Sequence, residues 1–205
     1  MEITKIITTS SKQLAEKIIE RLSMESVESN ELYKSYEVIR VSEDDEKEKV
    51  VLCIHGEDKI SIVETFDHVF ETYQVQKMLH VGMVWISGNI DINSWDVILP
   101  NTFISPDAET PFFLDFAVGE NYDFKNFGLI LSGICMTGEL WEDHDPEDYG
   151  ADIYDRESFY ILEKMQEKES LDKTVVIKTV FDPADEKISE EVAWDNGLAI
   201  LDFML

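Results

Sequence analysis

A three-layer α/β/α domain with a mixed, largely parallel central sheet is what this sequence predicts, on three observations. Apolar, β-branched runs alternate along the chain with amphipathic stretches of helical period. The run Val175, Val176, Ile177, Thr179, Val180 has the continuous β-branched character of a strand buried on both faces. No internal repeat, low-complexity linker or Pro/Gly-rich boundary interrupts the 205 residues, so residues 1–205 read as one domain, large enough for a sizeable core.

The elements follow in order. ITKIITT reads as a first strand, and SSKQLAEKIIERLS as an amphipathic helix whose apolar positions Leu14, Ile18 (with Ile19) and Leu22 recur every four residues. Ser10 or Ser11 is its expected cap. YKSYEVIRV and KVVLCIH read as two strands joined by SEDDEKEK, a solvated hairpin tip. DKISIVETFDHVFETY predicts a helix with Ile60, Val63, Phe66, Phe70 and Tyr73 on one face. MLHVGMVWI is a short apolar strand, WDVILPNTFISP and TPFFLDFAV supply further strand material, and FGLILSGICM another strand. DIYDRESFYILEKMQEK runs from a strand end into a helix that buries Phe159, Leu162 and Met165. TVVIKTVF is the last strand and ISEEVAWDNGLAILDFML a closing helix, weakened by Gly197 in its interior.

Charge excludes whole classes of partner. Lys+Arg number 17 against 44 Asp+Glu, a formal net charge of -27, which repels both nucleic acid and anionic membranes. No apolar stretch approaches the length of a membrane span and no signal peptide is read, so the expected location is cytoplasmic. Cys53 and Cys135 each sit inside an apolar run without disulfide or zinc spacing, as buried thiols. His144, among Glu142, Asp143 and Asp145, lacks a regular ligand loop and reads as surface; neither a metal nor a cofactor is expected.

The last strand ends on "KTVFDPADE". Ligands in open α/β sheets sit just outside the carboxyl ends of such strands, which would make Asp182 a working carboxylate. On the residues alone a strand-end Asp is more often a turn former or N-cap, a reading that Pro183 strengthens. Five further segments surround it in order: "CIHGEDK" with His55, Gly56 and Lys59, "HVGMVWI" with Gly82, "NSWDVILP" with Asp96, "GLILSG" ending on Ser132, and "YDRES" with Arg156 and Glu157.

Together these segments resemble the purine nucleoside phosphorylase and uridine phosphorylase superfamily, closest to its methylthioadenosine/S-adenosylhomocysteine nucleosidases. His55 to Lys59 resembles the family's Ser-Gly-Ile-Gly-Lys turn, and Gly82 with Trp95 to Ile98 its Gly-rich turn and following strand. Ser132-Gly133 resembles a Ser-Gly-Asp strand end, Tyr154 to Glu157 a Val-Glu-Met-Glu segment, and Val180 to Asp185 an Ile-Ser-Asp-x-Ala-Asp segment. The resemblance implies cleavage of an N-glycosidic bond through an oxocarbenium-like transition state. It makes Asp182 the acid that protonates the departing purine and Glu157 the carboxylate that grips the ribose hydroxyls. Arg156, Gly82, Ser132 and His55 are the further expected substrate contacts, the ligand is a small-molecule nucleoside, and a homodimer is implied.

The departures are as specific as the matches. Where the family ends its first strand in acids, this chain has Thr8, Thr9, Ser10 and Ser11. Small residues after Gly82 become Met83-Val84-Trp85-Ile86, the aspartate after Gly133 becomes Ile134, and the methionine beneath ribose becomes Arg156. Three arginines, Arg21, Arg40 and Arg156, none in a phosphate-binding context, argue for hydrolysis over phosphorolysis. The alternative is a catalytically inactive protein that keeps the fold for ligand binding or protein interaction. His80 in its apolar strand reads as a satisfied core histidine.

Overall fold

A computed structural model describes residues 3–29, 33–41, 47–87, 92, 96–115, 129–130, 133–138, 145–180 and 190–205. Strand β1 (Ile3–Thr9) leads into α1 (Lys12–Leu22), followed by β2 (Glu25–Ser29), β3 (Tyr33–Val41) and β4 (Lys47–His55). Helix α2 (Lys59–Thr72) then precedes the twelve-residue β5 (Val75–Ile86). Short strands β6 (Val97–Ile98), β7 (Thr102–Ile104), β8 (Phe112–Phe113), β9 (Leu129–Ile130), β10 (Ile134–Thr137) and β11 (Ile153–Asp155) follow. Helix α3 (Ser158–Glu167), β12 (Thr174–Val180) and α4 (Glu190–Met204) complete the described elements, with single 3-10 turns at Pro146–Tyr149 and Leu171–Lys173.

The centre of the sheet is parallel: β1 lies between β4 and β5, and β5 between β1 and β12. Its margins are antiparallel, with β2 on β3, β3 on β4, and β8 on β7. Strand β5 is shared by two sections. Its first part pairs with β1, and its last residues, Trp85 and Ile86, pair antiparallel with β11, which continues through β10 to β7.

Strict alternation sorts the core into two layers. Ile6, Val51, Cys53, Met78 and Val176 face α2 and α3, meeting Ile62, Phe66, Phe159 and Leu162. Ile7, Val50, Leu52, Leu79 and Ile177 face α1 and α4, meeting Leu14, Ile18, Trp194 and Leu198. Each fully buried Leu, Ile or Phe contributes about 1.5–3 kcal/mol relative to exposure. The three-layer architecture is therefore the observed one.

Local signals explain most boundaries. Ser11 caps α1, its Oγ accepting from the Leu14 N–H at 3.2 Å, and Asp58 caps α2 by accepting from the Ser61 N–H at 2.9 Å. Gly197 lets α4 lie against β12, because a Cβ there would overlap Thr179 Oγ1.

Four expectations are corrected. Helix α2 buries Phe66 as expected and packs Phe70 and Tyr73 against the core, but Ile62 and Val69 complete its buried face while Ile60 stands exposed in the first turn just past the cap. Strand β2 was not anticipated, since ESVES carries almost no apolar signal; it adds as an edge along β3. WDVILPNTFISP makes two strands, β6 and β7, separated by Pro100, which has no N–H for a ladder. FGLILSGICM likewise yields β9, paired with β6, and β10, paired with β7 and β11.

Candidate functional site

A polar cluster is enclosed on the α2/α3 side of the sheet, towards the carboxyl ends of its strands. Alternation puts it there: Ile6 on that side brings Thr8 with it, Met78 brings His80 and Gly82, and Val176 brings Lys178. Asp155 ends β11, and Glu157 stands at the N-cap of α3. Thr8, His80 and Lys178 are fully buried, and Asp155 and Glu157 nearly so.

Lys178 is the hub. Its Nζ lies 2.7 Å from Asp155 Oδ2, 3.2 Å from Glu157 Oε1 and 2.9 Å from His80 Nε2, three acceptors for three ammonium hydrogens. His80 Nε2 also lies 3.0 Å from Glu157 Oε1. That nitrogen cannot accept from Lys178 and donate to Glu157 at once. In the tautomer protonated on Nδ1, both ring nitrogens are paired: Nδ1–H donates to Thr8 Oγ1 at 3.1 Å, and Nε2 takes the lysine proton. Asp155 is held from the other side by the Thr137 hydroxyl at 2.6 Å, the Ser158 hydroxyl, and the N–H groups of Glu157 and Ser158 at 3.2 Å each. It thereby caps α3 from outside the helix, where a carboxylate is favoured by the helix dipole.

The charges follow from these contacts. Burial works against a charged Glu157, but the Lys178 ammonium holds the carboxyl well below the usual carboxylate range. Burial, reinforced by Lys178, pushes His80 down to about 4, so its imidazole is neutral near pH 7. Burial opposes the charge on Lys178 too, and Asp155 and Glu157 overcome it, raising the ammonium above the usual lysine range. One cation thus faces two carboxylates. Glu157 Oε2 is buried with no hydrogen-bond partner among the described residues.

Above the cluster opens a cleft of about 430 Å³, whose walls include Ser10, Ser11, Met83, Trp85 and Arg156 and which reaches Asp155 and Glu157. Arg156 turns outward from the same strand–helix junction: its Nη1 lies 3.4 Å from Glu57 Oε2, and its guanidinium carbon 6.0 Å from the Trp85 ring centroid. Gly82 lies against the cluster, where a Cβ would come within 2.6 Å of Glu157 Oε1 and 2.7 Å of Lys178 Nζ. Only glycine leaves room for that approach.

The structure thus brings Glu157, Arg156 and Gly82 together. His55 is set apart from them: its ring lies 5.9 Å from that of His80, but it borders a second, smaller cleft. Asp182 and Ser132, and with them the "FDPADE" segment, lie outside the described residues, as does His144. No group of three or more His, Cys, Asp or Glu that could hold a metal occurs among the described residues.

Sequence reasoning missed the hub. The available signal was Lys178 itself, a charge in the middle of a β-branched run, since a buried lysine needs paired carboxylates. His80 is the satisfied core histidine expected, but what surrounds it is the expected ribose-binding carboxylate and its lysine.

The fold is that of the nucleoside phosphorylases and nucleosidases. The chain is similar to a methylthioadenosine/S-adenosylhomocysteine nucleosidase of Helicobacter pylori (TM-score 0.77, 13% identity, covering 100% of this chain and 99% of that one). It is also similar to the futalosine hydrolase of that organism (0.76, 12%, 100% and 98%). The corresponding nucleosidase of Colwellia psychrerythraea, solved with adenine, superposes with a TM-score of 0.74 at 14% identity, covering 98% of this chain and 93% of that one. No family model and no curated protein sequence matches the chain. At such identities the likeness is one of fold, and the divergence seen in the motifs is what it leads one to expect.

Proposed function

We propose that the chain binds a purine nucleoside in the cleft above Glu157 and hydrolyses its N-glycosidic bond. The observation that carries this reading is Glu157 itself: an ionised, buried carboxylate beneath a cleft, with one oxygen clamped by Lys178 and the other without a partner. Two adjacent ribose hydroxyls are donors of the kind that oxygen lacks. A carboxylate beneath the sugar also stabilises positive charge as the oxocarbenium-like transition state forms. In this reading Asp182 supplies the proton to the leaving base, by its place in the Val180–Asp185 segment, and water is the nucleophile. The likeness to nucleosidases solved with adenine and with methylthioadenosine supports the ligand class.

Incubation with adenosine, inosine, methylthioadenosine and S-adenosylhomocysteine, followed by chromatography, is expected to show free base from at least one. Glu157→Gln should abolish release while the protein stays folded. If none is cleaved and none shifts the melting temperature, the proposal fails.

A second reading has its own observation. The cleft wall carries Ser10 and Ser11 where an acid at the end of the first strand would activate water, and the bulky Met83 and Trp85 line it. A protein that binds a nucleoside without cleaving it would show a thermal shift and no base. A homodimer belongs to both readings: Phe113, in the apolar run PFFLDFAV, is 66% exposed, and burial against a second copy would cover it. Light scattering at tens of micromolar protein tests this.

A further inference from the structure

His55 ends β4 two residues beyond Cys53, so alternation turns it to the α2/α3 side of the sheet. There its ring centroid lies 6.1 Å from that of Phe66 and 5.9 Å from that of His80. His80 in turn reaches Glu157 Oε1, 3.0 Å from its Nε2. His55 and Glu157 are thus neighbours of one imidazole, and each is only 4% exposed. Of the charges around His55, the Glu157 carboxylate most favours a proton on it, but burial prevails and holds the imidazole below its ordinary value of 6.5. The ring is therefore neutral near pH 7. Its tautomer follows from one contact. Nδ1 lies 2.7 Å from the Gly56 carbonyl, which can only accept, so Nδ1 carries the proton and Nε2 is an acceptor. Neither His55 Nε2 nor Glu157 Oε2 has a hydrogen-bond partner among the described residues. Buried polar atoms are nearly always satisfied, and two acceptors cannot satisfy each other. A second cation here would be repelled by Lys178, whose Nζ stands 3.2 Å from Glu157 Oε1, and an anion by Glu157 itself. A neutral molecule with two donors answers both atoms.

We propose that one enclosed water is held between His55 and Glu157, donating one hydrogen to Nε2 and the other to Oε2, and that His55 thereby acts as a positioning residue for Glu157. Lys178 and His80 already fix Oε1. The water fixes Oε2, so the carboxylate can no longer turn about its last bond. A carboxylate oxygen has two lone pairs, and Oε2 keeps one of them for a ligand hydroxyl. The water site stands on the two acceptors alone, whereas the benefit to ligand binding rests on the nucleoside reading of the cleft above Glu157.

The test is nitrogen-15 and proton NMR of the histidine rings in the full chain near pH 7, with oxygen-17 relaxation to count long-lived waters. The expected His55 spectrum shows a protonated Nδ1, a hydrogen-bonded acceptor at Nε2, and a cross-peak between the ring Hε1 and water. His55→Phe removes the acceptor and should lose one long-lived water, while His55→Gln, whose amide oxygen accepts, should keep it. In nucleoside titrations His55→Phe should weaken binding about tenfold, the effect of losing one hydrogen bond on a charged group, and His55→Gln should restore most of it. A proton on Nε2, or no water cross-peak, overturns the proposal, and these wild-type spectra decide it even where His55→Phe fails to fold. A folded His55→Phe that keeps every long-lived water overturns it equally. Nucleoside binding undiminished in His55→Phe removes the positioning role. A water found at His55 in a chain that binds no nucleoside upholds the site and sinks only the nucleoside reading.

Discussion

Arg156 and Glu157 are joined by one peptide bond, yet their ion pairs belong to different physical regimes. Arg156 meets Glu57 at 3.4 Å with both side chains about half exposed, at 48% and 56%. Glu157 meets Lys178 at 3.2 Å with the lysine fully enclosed and the glutamate 5% exposed. Water screens the first pair and offers each member an alternative partner. The second pair has no such alternative, so every acceptor around Lys178 depends on the others. The lesson concerns where a site's precision resides: the outer pair can be exchanged freely, whereas the inner one fixes the geometry of Glu157.

Removing the lysine breaks that contrast most severely. Lys178→Met leaves Asp155 and Glu157 as buried carboxylates without their cation, and a loss of about 3–5 kcal/mol in urea unfolding is expected. Lys178→Arg should recover part of it, because the charge is kept while the three-acceptor geometry is not.

The histidine sharpens the contrast through pH. Its pKa falls from an ordinary value near 6.5 to about 4 on folding, so the unfolded chain binds a proton that the folded one refuses. The stability that a neutral His80 maintains is full above about pH 6.5 and is lost as pH falls towards 4, by about 3 kcal/mol. His80→Gln should flatten the slope of melting temperature against pH in that window. An unchanged slope would mean that the imidazole is not buried beside Lys178.

A smaller effect is expected from Gly82→Ala. Its Cβ would press on Glu157 Oε1 at 2.6 Å, displacing the carboxylate. A loss of about 1–3 kcal/mol, the usual range for overpacking, should accompany weaker nucleoside binding. Smallest is Arg156→Ala, expected to change unfolding stability by no more than about 1 kcal/mol. If Arg156→Ala proves as damaging as Lys178→Met, the two regimes are not distinct.

How far the sequence revealed all this depended on which signal each residue carried. Helices α1 to α4 and strands β1, β3, β4, β5, β11 and β12 are written in periodicity, because each buries an apolar stripe or run. Strand β2 is held by its ladder to β3 and has almost no apolar side chains to announce it. In the site, Glu157 was legible through motif order and Trp85 through its bulk. The Lys178 hub was not, because hydrophobic pattern reads a charge in a strand as an interruption. Only the convergence of β1, β5, β11 and β12 shows what the charge is for. Sequence separated His55, an expected substrate contact, from His80, an expected core histidine; the structure partners both His80 nitrogens and leaves His55 Nε2 without a partner among the described residues.

Strand β5 has a consequence for motion. It pairs with β1 over its first part, with β12 over residues 78–84 and with β11 at its end, so these three neighbours cannot part from one another without disturbing it. Amide hydrogens of residues 78–84 should therefore exchange only through global unfolding, while those of β2 and β8 at the margins exchange through local opening. His80 and Gly82 ride on that slowest-exchanging segment. The floor beneath the cleft should thus be among the most persistent parts of the described sheet, leaving adjustment to a ligand to the α1 entrance and the Glu57–Arg156 rim.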